Sequence, residues 1–233
     1  MSMIDEILAK ATTVQNEEIA ITESHNLSEI NNLKDNQSAI VTEATVFFVN
    51  LKNIPFLTKN YGKRAASKMY KMLHEALDIF AKETNAYLID HSTSSFLLAY
   101  SSSINEIDIH IENAFKLSYV LGRKLVKNTD QLGILNFSIG IDHGRILGTK
   151  SDNGIRWFGT CIDKAATISE LCMKPCYLGI SGLVYSELSE DLKTTSHHIL
   201  GIPKKGPAWI KGVYQFENER KHYYSSNYTI EVN

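Results

Sequence analysis

The stretch VFFVNLKNIPFL, residues 46–57, contains an apolar strand followed by a change of structure. Val46 to Val49 are all β-branched or aromatic, which favours a buried strand. Asn50 follows at the point where this strand is expected to end. Pro55 then suits the first turn of a helix, where its missing N–H costs little. The stretch therefore predicts a strand-to-helix transition with a polar side chain at the edge of a sheet.

The apolar spacing after this stretch predicts further elements. Apolar side chains recur three and four residues apart over 61–84 and again over about 105–127, which indicates two long helices. The short runs AYLI and FLLAY flank the turn-prone DHSTSS and predict a hairpin over 86–100. The stretch GILNFSIGIDHGRILG predicts two strands that turn at Asp142-His143-Gly144.

The C-terminal third adds shorter elements. We predict a helix over 160–172, a strand in CYLGIS, a short helix over 182–188, and a last strand pair formed by 197–202 and 208–217. The resulting order is β-α-β-β-α-β followed by more α and β. The sequence therefore predicts the α+β class, with a ferredoxin-like core and additional C-terminal elements.

Composition narrows the classes of function. The chain has 233 residues, 43% apolar and 21% charged, as in ordinary soluble globular proteins. A net charge of −2 without a basic stripe argues against nucleic-acid partners. No apolar run approaches the roughly 20 residues of a membrane span, and the acidic start does not resemble a signal peptide. Cys161, Cys172 and Cys176 form no CxxC pair and suit reduced thiols. We expect a cytoplasmic protein with no membrane partner.

Charge and pattern divide the chain into three segments. Residues 1–41 are polar and acidic with weak helical spacing, which predicts a helical or mobile extension. Residues 42–217 carry the periodic elements of the predicted domain, and 218–233 are predicted to form a polar tail.

Four stretches together carry a resemblance to a known family: VFFVNL, FSIGIDHGRILG, RWFGTCIDKAA and WIKGVYQFE. With the element order, they resemble the catalytic domain of class III nucleotidyl cyclases over 42–217. In character they are most similar to the compact bacterial cytidylate and uridylate cyclases of antiphage defence. The resemblance implies a homodimer whose active sites are shared between protomers. In that family two aspartates hold two metal ions, which activate the ribose 3′-hydroxyl for in-line attack.

Neither metal aspartate of the family is present at its expected place. The first falls on Asn50 and the second on Ser94, at the hairpin tip. An amide and a hydroxyl are weaker ligands than a carboxylate for a hard cation such as Mg²⁺. A shifted hairpin would instead offer Asp90 or His91, but a solvated turn is the preferred interpretation because register fixes which face each side chain takes.

The family's glycine-rich turn also departs from its pattern. In the family this turn offers backbone N–H groups to the phosphates. Here it is Lys52-Asn53-Ile54-Pro55, in which Pro55 lacks one donor and Ile54 is bulky where the backbone should approach the substrate. We expect a degraded substrate cradle at Ile54 and Pro55.

The remaining family positions come from the other protomer. The base-selecting position falls on Arg156, and a phosphate-contacting lysine falls on Lys211, for which a solvated loop lysine is an equally good interpretation. The family's asparagine and arginine, which stabilise the transition state, fall on Asp163 and Thr167. Their i,i+4 spacing puts both on one helix face. Asp163 would add negative charge beside a triphosphate, and Thr167 adds no cation to oppose it.

Other residues suit structural roles better than chemistry. His197 and His198 are neighbours in a predicted strand, so they point to opposite faces and do not form a metal pair. Gly140, Gly144 and Gly148 lack the strand-to-helix context of a dinucleotide fingerprint, so turns and close strand packing explain them.

Two classes of function stay open at this stage. The first is a cyclase homologue without catalysis that acts as a dimeric nucleotide-sensing or regulatory module, with a nucleoside triphosphate or a protein as partner. The second is an active cyclase that makes a cyclic pyrimidine or purine mononucleotide. The first class is favoured because neither metal position carries a carboxylate. It implies no tightly bound cofactor, whereas the second implies Mg²⁺ or Mn²⁺. In either case we expect the dimer contact to cover Trp157 and Phe158, and Trp209 to be a core or dimer-contact residue.

Overall fold

The structure, a computed structural model, is built around one large sheet. It describes residues 2–16, 18–33, 38–92, 94–125, 135–151, 154–173, 177–199 and 202–227. The helices are α1 (Met3–Gln15), α2 (Ile54–Thr84), α3 (Ile107–Tyr119), α4 (Thr160–Leu171), α5 (Gly182–Glu187) and α6 (Glu190–Lys193), with short 3-10 turns at Leu27–Asn32 and Ile104–Glu106 and a π-helical turn at Val120–Lys124. The strands are β1 (Ala20–Glu23), β2 (Ser38–Leu51), β3 (Tyr87–His91), β4 (Ser95–Ser101), β5 (Phe137–Ser151), β6 (Gly154–Phe158), β7 (Leu178–Ser181), β8 (Thr194–Ile199), β9 (Ile202–Pro207), β10 (Ile210–Phe216) and β11 (Glu219–Ser226).

Strands β2 and β5 form the centre of the sheet. They pair antiparallel along their length, from Ala39 opposite Thr149 to Leu51 opposite Phe137. The sheet continues in the order β10-β11-β7-β5-β2-β4-β3, with β1 beside β2 and β6 beside β5. The neighbours β5 and β7 are parallel, so the sheet is mixed. This arrangement confirms the predicted α+β class.

Helices cover both faces of the sheet, which explains the continuous apolar run in β2. Phe47, Val49 and Leu51 alternate onto one face, where they pack in a cluster with residues of α2 and α3. Ala44 and Val46 lie on the other face, in a cluster that includes residues of α4. Because both faces are buried, the strand carries apolar residues at nearly every position.

Helix α4 packs directly on the backbone of β5. A Cβ atom at Gly140 would lie 1.9 Å from the Ala165 carbonyl oxygen, and one at Gly144 would lie 3.3 Å from Cys161 Cβ. Ser138 Oγ also donates to the Ser169 carbonyl oxygen at 2.6 Å. Close packing of helix on strand therefore accounts for these glycines.

The predicted turn at Asp142-His143-Gly144 is wrong, because β5 runs through it without a break. Asp142 pairs with Val46 in the ladder, and its carboxylate accepts a hydrogen bond from Ser181. His143 Nδ1 lies 2.9 Å from Thr45 Oγ1 on the adjacent strand. Polar side chains that resemble turn residues are satisfied inside the sheet here, so turn propensity misplaces the strand end.

The predicted C-terminal pairing is also wrong. Strands β8 and β9 pair with each other in a separate two-stranded sheet, whereas β10 pairs with β11. The predicted polar tail from 218 contains β11, which lies between β10 and β7. Glu217 and Asn218 join these strands with φ values of 48° and 64°, the signature of a tight type I′ hairpin. Residues 228–233 of the predicted tail lie outside the described part.

The N-terminal segment has two parts. Helix α1 buries none of its side chains, whereas Leu27 and Ile30 in the following 3-10 turn are 1% and 3% exposed. Ile30 approaches β5 at Gly148. Within the described residues, no helix combines the length and the apolar character needed to cross a bilayer.

Candidate functional site

A cleft of about 720 Å³ lies at the end of β2, where the sequence predicts the family's metal positions. Asn50 pairs with Ser95 of β4, and the Leu51 N–H donates to the Ser94 carbonyl oxygen at 2.7 Å. Asn50 and Ser94 are therefore neighbours at the ends of adjacent strands, as expected from the sequence. The described residues that line the cleft are Asn50, Leu51, Lys52, Ser94, Asn136, Glu170 and Met173.

Hydrogen bonds among serines close the hairpin tip beside the cleft. Ser92 Oγ accepts the N–H groups of Ser94 and Ser95 at 3.3 and 3.1 Å, and it lies 2.8 Å from Ser95 Oγ. The Tyr70 hydroxyl donates to the Ser92 carbonyl oxygen at 2.6 Å. The tip is thus held by hydroxyl and backbone groups, in place of a carboxylate that could bind a cation.

The alternative ligands Asp90 and His91 lie further from the cleft. They belong to β3, opposite Leu97 and Phe96, after an irregularity in the ladder between Leu88 and Asp90. Strand β3 is separated from β2 by β4. The hairpin register therefore supports the interpretation in which Ser94, and not Asp90, takes the second metal position.

Lys52 places a fixed positive charge in the cleft. Its Nζ donates to the carbonyl oxygen of Glu170 at 3.2 Å and to that of Cys172. These carbonyl groups lie at the C-terminal end of α4, where an ammonium group is favourable. Burial lowers the pKa of Lys52, and its electrostatic interactions with Cys172 and Glu170 act in the opposite direction. We did not predict a role for Lys52 from the sequence. The feature that could have indicated one is its position as a cation directly after the strand.

The turn between β2 and α2 uses its backbone groups internally. The Lys52 N–H donates to the Asn136 carbonyl oxygen at 2.7 Å, and Asn53 Oδ1 accepts the Asn136 N–H at 3.0 Å. Helix α2 then begins at Ile54 with Pro55 in its first turn, and Ile54 packs against the main core. Lys52 and Asn53, directly before Ile54 and Pro55, therefore hold the end of β2 to the segment before β5.

Asp163 and Thr167 lie one turn apart on α4, as their spacing predicts. Asp163 is exposed, and the Thr167 hydroxyl donates to the Asp163 carbonyl oxygen at 2.9 Å. The opposite side of the helix, which includes Cys161 and Ala165, is buried against the sheet. The pair therefore presents one carboxylate and a hydroxyl engaged with its own helix.

Arg156 and Lys211 are exposed on strands that lie away from the first cleft. Arg156 lies on β6, opposite Thr149 of β5. Lys211 lies on β10, opposite Tyr224 of β11. Strand β10 is four positions from β2 in the sheet, or roughly 19 Å at the usual strand spacing. A single chain thus brings Asn50 and Ser94 together, whereas Arg156 and Lys211 lie on other strands, away from the first cleft.

Comparison with solved structures identifies the architecture. A class III adenylyl cyclase-like ATP-binding protein from Pseudomonas aeruginosa matches with a TM-score of 0.64 and 12% identity, over 78% of this chain and 42% of that chain. The guanylyl cyclase Cya2 matches with a TM-score of 0.64 and 9% identity, over 82% and 94%. The guanylate cyclase domain of RhGC from Catenaria anguillulae, in complex with GTP, matches with a TM-score of 0.59 and 14% identity, over 81% and 98%.

The chain has the class III nucleotidyl cyclase fold. The match covers less than half of the Pseudomonas protein and nearly all of the other two chains. No family model and no curated protein matches the sequence. The predicted fold is confirmed, and the resemblance to pyrimidine cyclases in particular stays a prediction.

The residues at the metal positions of this cyclase fold do not fit two divalent cations. The described lining of the first cleft has one carboxylate, Glu170, and one ammonium group, Lys52. Asn50 and Ser94 contribute neutral oxygen atoms, while Mg²⁺ sites normally use one or two carboxylates together with substrate phosphates. Elsewhere in the described ranges, no group of three or more His, Cys, Asp and Glu side chains is arranged to hold a metal.

Several other candidate residues are structural. Trp209 is 5% exposed, stacks near Phe115 with ring centroids 5.6 Å apart, and donates from Nε1 to the Leu192 carbonyl oxygen at 2.8 Å. Cys161 and Cys172 are buried, and Cys176 lies outside the described residues. His197 and His198 occupy consecutive positions of β8 and pair with Lys204 and Pro203.

Proposed function

We propose that this protein is a cyclase-fold module without two-metal catalysis, which acts in the cytoplasm as a homodimer that senses a nucleoside triphosphate. The observation that carries the proposal is the set of side chains at the two metal positions of the first cleft. Asn50 and Ser94 are neutral, and Lys52 holds an ammonium group beside them. Glu170 is the one carboxylate of the described lining, so a pair of divalent cations here lacks the family's two aspartate ligands and meets the Lys52 charge.

The magnitude of the expected catalytic loss is large. Removing one group that stabilises a transition state typically costs about 10² to 10³ in rate. Two metal ligands are altered here, and Asp163 puts a negative charge where the family has an asparagine. Such effects do not add simply, but together they leave little of the family's chemistry. The second class of function, an active cyclase, therefore depends on ligands that the cleft does not supply.

Nucleotide binding is supported by basic groups that need no metal. Arg156 and Lys211 are exposed, and the resemblance assigns them to the family's base-selecting and phosphate-contacting positions. One structural neighbour is named as an adenylyl cyclase-like ATP-binding protein, and another was solved with GTP. We infer that Arg156 and Lys211 contact the nucleotide from one protomer while the first cleft faces it from the other.

The homodimer is supported by an exposed apolar group next to these residues. Phe158 is 54% exposed on β6, two residues from Arg156, and Trp157 is half-buried over Gly148. Large exposed aromatic groups beside polar ones are typical of protein contacts. A head-to-tail dimer would cover Phe158 and bring Arg156 towards the cleft of the partner.

Light scattering of the purified protein at tens of micromolar tests the dimer. We expect a dimer for the natural protein and a monomer for Phe158→Asp. Ile79→Asp is the matched control, because Ile79 is 62% exposed on α2 and lies outside the expected contact. A monomeric natural protein, or a dimer that survives Phe158→Asp, would contradict the proposed assembly.

Calorimetric titration with ATP, GTP, CTP and UTP tests nucleotide sensing and the preference for pyrimidines. We expect binding that Arg156→Gln and Lys211→Gln each weaken by about fivefold to tenfold, as for a lost charge-assisted contact. Lys71→Gln removes the same charge from exposed α2 and should leave binding unchanged. Equal affinities in all three variants would exclude these residues from the nucleotide site.

A further inference from the structure

A second cleft, of about 390 Å³, lies between α4 and the hairpin formed by β10 and β11. It arises because β7 is short: its ladder with β5 ends at Ile141 and Ile180, and its ladder with β11 ends at Ser181 and Tyr223. Both flanking strands continue past this end, so an opening forms in the sheet at that level. The residues that line it are Asp142, Lys164, Ser181, Gly182, Leu183, Tyr214, Arg220, Lys221, His222 and Tyr224.

A buried carboxylate forms the floor of the second cleft. Asp142 is 2% exposed, and its Oδ1 accepts a hydrogen bond from Ser181 Oγ at 2.5 Å. Burial raises the pKa of Asp142, while the Ser181 hydrogen bond and the charge of Lys164 act in the opposite direction. Ser181 and the His143 backbone N–H both donate to this carboxylate, which has about four acceptor sites and so retains capacity for one more donor from the cleft. Buried carboxylates with a shifted pKa in a cleft are candidate ligand-binding groups.

Tyr214 adds a second polar group close to this floor. It is 7% exposed, and burial together with the charge of Asp142 raises its pKa to about 12. The phenol therefore keeps its proton at neutral pH and stays a hydrogen-bond donor. Its ring also packs near Tyr223 and Phe216, so its position is fixed by the surrounding aromatic cluster.

Basic side chains surround the opening. Lys164 lies over the Phe216 ring at 5.7 Å, and Lys221 forms an ion pair with Glu219. Lys164, Arg220 and Lys221 outnumber the two neighbouring carboxylates, Asp142 and Glu219, so the opening carries one surplus positive charge. A positively charged rim above a buried carboxylate suits a ligand that is anionic at one end and donates hydrogen bonds at the other.

We propose that the second cleft binds a phosphate monoester whose other end carries an N–H donor, such as a nucleoside monophosphate. The phosphate contacts Arg220, Lys164 and Lys221 at the rim. The N–H group donates to the Asp142 carboxylate at the floor. A cleft of about 390 Å³ is within the range of small-ligand pockets. This site shares none of its lining residues with the first cleft, so it stands or fails separately from the proposed function.

Titration of the natural protein with AMP, ribose 5-phosphate and inorganic phosphate tests both ends of the ligand. Ribose 5-phosphate keeps the phosphate and lacks the N–H donors of the base. We expect AMP to bind at least about tenfold more tightly than ribose 5-phosphate, the usual effect of a hydrogen bond to a charged group. Equal affinities for AMP, ribose 5-phosphate and phosphate would overturn the proposal, as would no detectable binding up to about 10 mM, the affinity range of non-specific contacts.

Variants assign the two contacts. Asp142→Asn should abolish the preference for AMP and leave ribose 5-phosphate binding unchanged, whereas Arg220→Gln should weaken both ligands by about fivefold. Arg220 is exposed, so Arg220→Gln keeps the test valid if the buried substitution unfolds the protein. Lys71→Gln is the control and should change neither affinity, and Asn50→Ala reports whether AMP occupies the first cleft instead. If Asn50→Ala abolishes AMP binding, AMP occupies the first cleft and the proposal is wrong.

Discussion

Gly140→Ala should lower the stability of the protein more than Gly144→Ala or Gly122→Ala, because the added methyl group would collide with the backbone of α4. The new Cβ would lie 1.9 Å from the Ala165 carbonyl oxygen and 2.5 Å from the Ser169 backbone nitrogen. Both atoms belong to the helix backbone, so no side chain can rotate away. To reach an ordinary contact, α4 would have to move by about 1.5 Å, which would also stretch the Ser138 to Ser169 hydrogen bond.

The expected loss of stability follows from these contacts. Overpacking a core typically costs 1–3 kcal/mol, and a weakened buried hydrogen bond adds about 1 kcal/mol, so we expect a loss of roughly 2–4 kcal/mol. Urea denaturation followed by circular dichroism would show a midpoint lower by about 1 M for an m-value of 2–3 kcal/mol/M. The matched control is Gly122→Ala, whose Cβ would meet Phe137 Cε1 at 3.5 Å, an ordinary contact.

The stabilities of Gly140→Ala, Gly144→Ala and Gly122→Ala should follow the distances from each added Cβ to its nearest neighbour. Gly144→Ala, with 3.3 Å to Cys161 Cβ, should fall between the other two variants. Gly122→Ala should not destabilise the protein and should stabilise it by about 0.4–1 kcal/mol, because alanine has less freedom in the unfolded chain. If Gly140→Ala is as stable as Gly122→Ala, the close packing of α4 on β5 is refuted.

Three further predictions concern pH, the first cleft and its metal positions. Burial lowers the pKa of His110 to about 4, so the unfolded state takes up a proton first and stability falls as the pH drops from about 6.5 towards 4. We expect a loss of about 2 kcal/mol in the unfolding free energy between pH 7 and pH 5, and a smaller loss in His110→Gln. Lys52→Met keeps the length of the side chain but removes its hydrogen bonds to the end of α4, which should cost about 1 kcal/mol in urea denaturation. Asn50→Asp with Ser94→Asp should tighten Mn²⁺ binding by about tenfold or more in calorimetry, because two carboxylates replace neutral ligands.

Each of these predictions has a matched control. For His110→Gln the control is the natural protein, measured over the same range of pH. Lys71→Met is the control for Lys52→Met, since Lys71 is 79% exposed by its side chain. The metal prediction is contradicted if the natural protein binds Mn²⁺ as tightly as the double variant. Cyclase activity should stay low in that double variant until Asp163→Asn and Thr167→Arg restore the transition-state groups.

Local sequence patterns predict the core of the fold well. The continuous apolar run of β2 and the helical spacing over 61–84 each depend on burial against a neighbouring layer, and such burial leaves a period in the sequence. The hairpin around DHSTSS is found for the same reason, and its register places Ser94 beside the end of β2. The resemblance to cyclases then gives these elements their order in the sheet.

Prediction from the sequence fails where polar side chains form hydrogen bonds with residues far away in the chain. Asp142 and His143 have turn-like character, but Ser181 and Thr45 satisfy them from other strands. Strand β11 has the sequence of a polar tail, because the contacts that hold it are with residues far away in the chain. Tyr224, for example, stacks on Tyr185 of α5. Lys52 gains its role only when the end of α4 is placed next to it. No local pattern contains these contacts.

We propose that the first cleft does not support two-metal cyclisation. The most direct test is incubation of the purified protein with ATP, GTP, CTP and UTP and with Mn²⁺, followed by mass spectrometry for cyclic nucleotides. We predict no cyclic product from any of the four substrates. Cyclisation of any nucleoside triphosphate that Asn50→Ala abolishes would contradict the claim, because Asn50 would then be a working metal ligand.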